Sequence, residues 1–223
     1  MSVILNIDTA VQTASVCLAG ENDVLGLQIN ASQKDHAAWL HIAIRELLHE
    51  SQTSFDQLSA IAVSSGPGSY TGLRVGMAAA KGLCYTLQLP LLAVNTLMLM
   101  ANSARLHTDA LLCPMIDARR MEVFTAIYGH ELEELLPSTN MILDENSFAA
   151  RLNEERILFF GNGSEKFQGI IRHTNAIFKT VNTTAVDMIS LSLEKFNRKD
   201  FTDLAYSEPF YGKDFHSPVK QSL

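Results

Sequence analysis

Cysteine is scarce in this chain of 223 residues, and the three that occur, Cys17, Cys84 and Cys113, form no C-x-x-C pair. A zinc ribbon and a dithiol redox motif are thereby excluded. Cys17 and Cys113 lie in the apolar runs ASVCLAG and ALLCPMI, so buried free thiols are expected. Positive charge is also short: 17 Lys and Arg face 24 Asp and Glu, a net charge of −7. The deficit is spread along the chain, with five basic and seven acidic residues up to Arg105 and twelve and seventeen beyond it. Neither part carries the cationic surface that binds a phosphate backbone unaided, so a partner would have to supply it. No apolar run reaches membrane-spanning length, and Met1 leads directly into VILNI with neither a basic stretch nor a signal-peptide core. No membrane contact is expected, and the compartment expected is the cytoplasm.

What the chain has in quantity is apolar side chain. Hydrophobic residues make up 47% and charged ones only 18%, enough for a sizeable core in one large domain or two small ones. Short β-branched runs predict strands over 3–7, 14–18 and 24–29, with the turn cluster Gly20-Glu21-Asn22-Asp23 making antiparallel neighbours. The period then changes: Trp39, Ile42, Ala43, Leu47 and Leu48 share one stripe of a helix over 36–50. A strand over 58–63, a helix over 71–87, a strand over 90–94 and a helix capped by Asn95-Thr96 and ending near Arg105 follow. The second half repeats that order without repeating the sequence. It predicts strands over 111–116, 122–128 and 135–143, a helix over 145–153, a strand over 157–160, and helices over 164–172 and 184–199. Both halves open with a strand ending in Ile-Asp, in NIDTA and MIDAR. The expected fold class is α/β with two tandem lobes, each a mixed sheet flanked by helices, over 1–106 and 107–223. Tandem lobes with an aspartate on strand one resemble the actin, Hsp70 and sugar-kinase superfamily, an actin-like (RNase H-like, ASKHA) arrangement.

The densest motif is SGPGSYTGLRVG, from Ser65 to Gly76, with four glycines and a proline between a strand and a helix of small residues. It is not a mononucleotide P-loop: Gly66 and Gly72 are one position too far apart, and Leu73-Arg74 stands where Lys-Ser/Thr is required. The dinucleotide fingerprint fails because Gly72 comes one residue late after Gly66-x-Gly68, and Ser69 does not sit in G-x-S-x-G. Asp8 and Asp117 occupy the position at which actin-like ATPases hold magnesium. Neither has the glycine-rich turn that lets phosphates approach: Thr9-Ala10-Val11 follows the first and Ala118-Arg119-Arg120 the second. With Gly161 and Gly163 they are candidates for a vestigial nucleotide cleft, and no cofactor is expected. His36 and His41 are about 140° apart around their helix, so they do not converge on one metal as H-E-x-x-H does. Gly72, Gly76 and Ala80, with Ala79 and Gly82 alongside, form a small-residue stripe, although glycine costs about 1 kcal/mol in a helix interior. Another backbone must come close, either this lobe's own sheet or a helix of a second subunit. Trp39 and Leu40 on the neighbouring helix would anchor such a subunit.

GPGSYTGLRVGMAAAKGL closely resembles the signature of the TsaB (YeaZ) family, bacterial partners in making threonylcarbamoyladenosine on tRNA. ILNIDTAVQTASVCL, His36 ahead of the apolar helix, LLAVNTLMLMA, PMIDARRMEVFTAIY and FFGNGSEKF extend the match to the neighbourhood of residue 170. Where the family often ends in Pro-x-Tyr-Leu-Arg, this chain has Glu208-Pro209-Phe210-Tyr211-Gly212-Lys213. The resemblance implies a subunit without catalysis of its own that pairs with TsaD, its catalytic relative, and forms homodimers when alone. It further implies that TsaE, an ATPase, joins the assembly, that TsaC supplies threonylcarbamoyl-AMP, and that tRNA is met through the complex. The implied interface consists of Trp39, Leu40, Tyr70, Gly72, Leu73, Arg74, Gly76, Ala79 and Ala80. An actin-like ATPase or small-molecule kinase, and a metallopeptidase, are the alternative readings.

Overall fold

The computed structural model describes residues 2–21, 23–30 and 36–212; Asn22 of the predicted turn cluster and Lys213 of the tail lie outside them. In the first lobe, β1 (Ile4–Asp8) pairs antiparallel with β2 (Ala14–Ala19), and β2 with β3 (Val24–Asn30). Helix α1 (His36–Glu50) carries the chain back to β4 (Ala60–Gly66), parallel to β1. Helix α2 (Tyr70–Leu87) then leads to β5 (Leu91–Asn95), parallel to β4. After α3 (Thr96–Ala104) the second lobe repeats the plan, with β6 (Leu111–Asp117), β7 (Glu122–Tyr128) and β8 (Glu134–Ile142) as an antiparallel meander. It continues with α4 (Ala149–Leu152), β9 (Ile157–Phe160), α5 (Ser164–Ile170), β10 (Ala176–Phe178) and α6 (Ile189–Asn197). The sheets run β3-β2-β1-β4-β5 and β10-β9-β6-β7-β8, the same order twice.

Period-2 alternation sorts β1 cleanly. Leu5 and Ile7 join Val16, Leu18, Ile61 and Val63 under α1 and α2, while Ile4 faces Met188 and Leu191 on the opposite side. The helices cross between lobes. Leu97, Met100, Ala101 and Ala104 of α3 pack with Leu112, Phe124 and Leu158 of the second sheet, whereas α6 packs on the first. The expected division at 106/107 therefore parts the sheets and not the helices that cover them.

Three local expectations are corrected. On α1 the buried stripe is Leu40, Ala43, Ile44, Leu47 and Leu48; Ile42 is 47% exposed and Trp39 only half-buried. The helix expected over 145–153 shrinks to α4. Asp144 accepts from the Asn146 amide and the Ser147 hydroxyl, both at 3.0 Å, and these side-chain bonds compete with helix. The final helix starts with a 3₁₀ turn, Ala185–Met188, capped by Thr184 and Asp187. Strand β10 is half-buried and three residues long, too short to show a period.

Candidate functional site

Helix α2 starts at the motif loop because Ser69 caps it, its hydroxyl accepting the Gly72 amide at 3.3 Å. The small-residue stripe then meets the turn between β1 and β2. The Ser69 amide donates to the Ala10 carbonyl at 2.7 Å, and the Thr9 hydroxyl donates to the Gly72 carbonyl at 2.7 Å. A methyl group at Gly72 would strike the Thr9 carbonyl, one at Gly76 the Thr9 hydroxyl, and one at Gly68 the Ala10 carbonyl. The close backbone that the glycines admit is the chain's own. Gly72, Leu73, Gly76, Ala79 and Ala80 are buried in the first lobe, as is Leu40, so these six expected interface residues are corrected to core positions. The amides of Gly66, Ser69, Gly72 and Leu73 all donate within the chain, so four of the loop's donors are taken up in holding the loop itself.

Asp8 is fully buried at the end of β1. Its Oδ1 accepts the Ala10 amide at 3.0 Å, while Oδ2 has no hydrogen-bond partner among the described residues. Burial pushes this carboxyl above the ordinary aspartate value; the Ser64 hydroxyl and Ala10 amide act against that, and the Asp187 carboxylate adds to it. Asp117 ends β6 in a different state. Lys166 of α5 forms an ion pair with it, and the Arg119 amide donates to its Oδ1 at 2.6 Å. Partial burial raises its pKa, but the Lys166 ammonium and the Arg119 amide outweigh that and hold it below the usual range. Arg119 and Arg120 lie at φ 70° and 51°, left-handed values that suit glycine, in the turn joining β6 to β7.

Gly161, at φ 91°, and Gly163 are shaped by packing as well. A Cβ on the first would meet the Met115 carbonyl and the Met100 side chain; one on the second would meet Val123 and the backbone of Ile116 and Asp117. Between the lobes a cleft of about 770 Å³ is lined by Gln12, His36, Tyr70, Asp117, Arg119 and Tyr211. The two aspartates do not suit a magnesium triphosphate as they stand: Asp8 is sealed and Asp117 is ion-paired to Lys166, so neither is open to the metal. Among the described residues no group of three His, Cys, Asp or Glu side chains comes together to hold a metal. Among them, too, no helix is long and apolar enough to cross a membrane.

The surface that α1 and α2 turn outward mixes polar and charged side chains, among them His41, Arg45 and Glu46, with exposed apolar positions. Ile42 and Ala38 of α1 are exposed beside half-buried Trp39. On α2, Arg74, Ala78, Gly82 and Tyr85 recur at helical spacing, Tyr85 at 74% exposure, and among the described residues nothing comes within 4 Å of a Cβ at Gly82. Of the expected interface, Trp39, Tyr70 and Arg74 remain accessible. Ala78 and Tyr85 escape sequence reasoning because the glycine stripe next to theirs carries the stronger signal; sequence spacing assigns Gly82 to that stripe and Ile42 to the apolar stripe of α1.

Residues 26–207 match the family described as TsaD: tRNA N6-adenosine threonylcarbamoyltransferase. The chain is 34% identical over 171 residues to the tRNA threonylcarbamoyladenosine biosynthesis protein TsaB of Bacillus subtilis, covering 75% of this chain and 74% of that one. It is 27% identical over 216 residues to TsaB of Escherichia coli, covering 93% of each. A crystal structure from Pseudomonas aeruginosa, described as an uncharacterized protein with similarity to peptidase YEAZ, superposes with a TM-score of 0.83 at 27% identity. That superposition covers 96% of this chain and all of the other.

Proposed function

This chain belongs to the TsaB (YeaZ) family of tRNA threonylcarbamoyladenosine biosynthesis proteins, and from that premise we propose that it is a non-catalytic subunit that activates TsaD by binding it. One observation carries the reading: both cleft aspartates are committed inside the chain, Asp8 by burial and Asp117 by Lys166. A subunit with its own phosphate chemistry needs those carboxylates open to a metal.

The working surface is then the outward face of α1 and α2. Trp39, Ile42, Ala78 and Tyr85 supply apolar and aromatic contact, Gly82 lets a partner backbone approach, and Arg74 offers a charge at the border. The partner is TsaD in the active assembly and a second copy of the chain in its absence. TsaE reaches the chain through the TsaB–TsaD pair, TsaC contributes threonylcarbamoyl-AMP, and tRNA binds the assembly, in keeping with the net negative charge here. The site of action is the cytoplasm.

The test is reconstitution. Purified TsaD, TsaE and TsaC from the same organism are assayed with ATP, threonine, bicarbonate and tRNA, and the modified adenosine at position 37 is measured with and without this chain. Formation only in its presence, with no ATP turnover by the chain alone, is the expected result. Turnover of ATP by the isolated chain would place it with actin-like ATPases and kinases instead.

A further inference from the structure

The last described residues leave the second lobe and run across the first. The Thr202 amide donates to the Leu91 carbonyl on β5 at 2.8 Å, and its hydroxyl accepts the Ala93 amide at 2.9 Å. Leu204 packs into the core beneath α1 and α2. Lys81 of α2 donates to the carbonyls of Ala205 and Ser207, at 3.3 and 3.0 Å, and the Phe210 amide donates to the Ser65 carbonyl at 2.7 Å. Gly66 is glycine for this contact: its φ is 111°, and a side chain there would strike the Phe210 carbonyl.

The strap ends on aromatic contacts. The Tyr211 ring lies 5.0 Å from that of Tyr70, and its hydroxyl accepts Arg74 Nε at 3.1 Å. The Arg74 guanidinium sits 4.4 Å over the Tyr70 ring, so one cation joins two tyrosines. Gly212, at φ 71°, then presses against the Phe124 ring of β7, with no room for a Cβ. Phe124 belongs to the second lobe, and both it and Tyr211 line the cleft. One ribbon is thus hydrogen-bonded along the first lobe and closed onto the second, with glycine at each tight crossing.

We infer that residues 202–212 are a clasp that sets the angle between the lobes and ties it to the outward face of α2 through Tyr70 and Arg74. The exchanged helices hold the lobes together on their packed side, and a ribbon that spans the cleft limits opening about that packing. The clasp reaches the second lobe at Phe124, whose cross-strand partner Ile116 adjoins Asp117. Its Arg74 end stands beside the proposed docking face, so binding there and lobe angle are coupled through two side chains. The inference concerns the isolated chain and holds whatever docks on α2.

The test uses the full chain, labelled with nitroxides at Thr86→Cys and Glu154→Cys, one exposed position on each lobe. The native cysteines are buried and stay unlabelled. Pulsed electron resonance is expected to give one narrow distance distribution for the otherwise unchanged chain. In the Tyr211→Ala/Gly212→Val double variant it broadens, and amide-exchange protection at Phe210 is lost. Tyr211→Phe, which keeps the ring but not the acceptor for Arg74, should give an intermediate width. A distribution unchanged in the double variant overturns the clasp. If that variant does not fold, Arg74→Gln decides by the same readout, because it leaves the whole strap in sequence; an unchanged width there is equally fatal.

Discussion

The Thr9 hydroxyl donates to the Gly72 carbonyl across 2.7 Å, joining the first turn of α2 to the end of β1. This bond and the glycine contacts around it explain why SGPGSYTGLRVG is so constrained: the motif closes the β1–β2 turn from within. Gly76→Leu is therefore expected to destabilise the chain itself. Overpacking of this kind costs about 1–3 kcal/mol, so the thermal midpoint should fall by several degrees with or without a partner present. A Gly76→Leu chain of normal midpoint that fails only to bind TsaD would return the stripe to the interface.

Tyr85→Ala separates docking from folding, since its side chain is three-quarters exposed. A central aromatic anchor is worth about 2 kcal/mol on truncation, roughly a 30-fold loss of affinity. Calorimetric titration against TsaD should show that loss, and differential scanning calorimetry an unchanged midpoint. Gly82→Arg, placed where the described residues leave open space, should act in the same direction. Wild-type affinity in both variants would eliminate this face.

The buried Asp8 makes stability depend on pH. Burial raises its folded pKa above the ordinary 3.8, so the folded chain holds the proton more tightly than the unfolded one. The favourable contribution is complete below 3.8 and is lost as pH rises through the folded pKa, because burial disfavours the ionised carboxylate. Asp8→Asn should raise the thermal midpoint at pH 7, and the gain should shrink as the pH falls towards 4. Thermal scans of both proteins over this range check it; a difference that ignores pH would assign the effect to packing alone.

Thiol chemistry gives an independent measure of the core. Burial pushes Cys17, Cys84 and Cys113 up to about 12, with the Asp187 carboxylate adding to the effect at Cys17. The thiolate is the reactive form, so the native chain should be inert to Ellman's reagent at pH 8 and titrate as three thiols in denaturant. One fast-reacting native thiol would contradict this packing.

Much of the fold was legible because it rests on local periodicity. The short apolar runs that end in the Ile-Asp of NIDTA and MIDAR, the Asn95 cap and the bounds of α1 all follow from short-range pattern, and Asn95 Oδ1 does accept the Leu97 and Met98 amides. Asp144 to Ser147 misled because side-chain turns compete with helix over the same residues. The site was legible in outline only. That Asp8 and Asp117 stand at equivalent strand ends is a sequence fact, whereas the burial of one and the pairing of the other with Lys166, 49 positions away, are set by the tertiary fold.

The chain's pattern by itself determined two repeated lobes, their strand meanders and a glycine-marked helix, since each depends on neighbours within a few turns. Only the tertiary structure decided which backbone the glycines admit, which face of α2 stays open, and that the tail returns from the second lobe to Ser65 and Arg74. Small residues announce close approach without naming what approaches, because van der Waals contact carries no record of sequence distance.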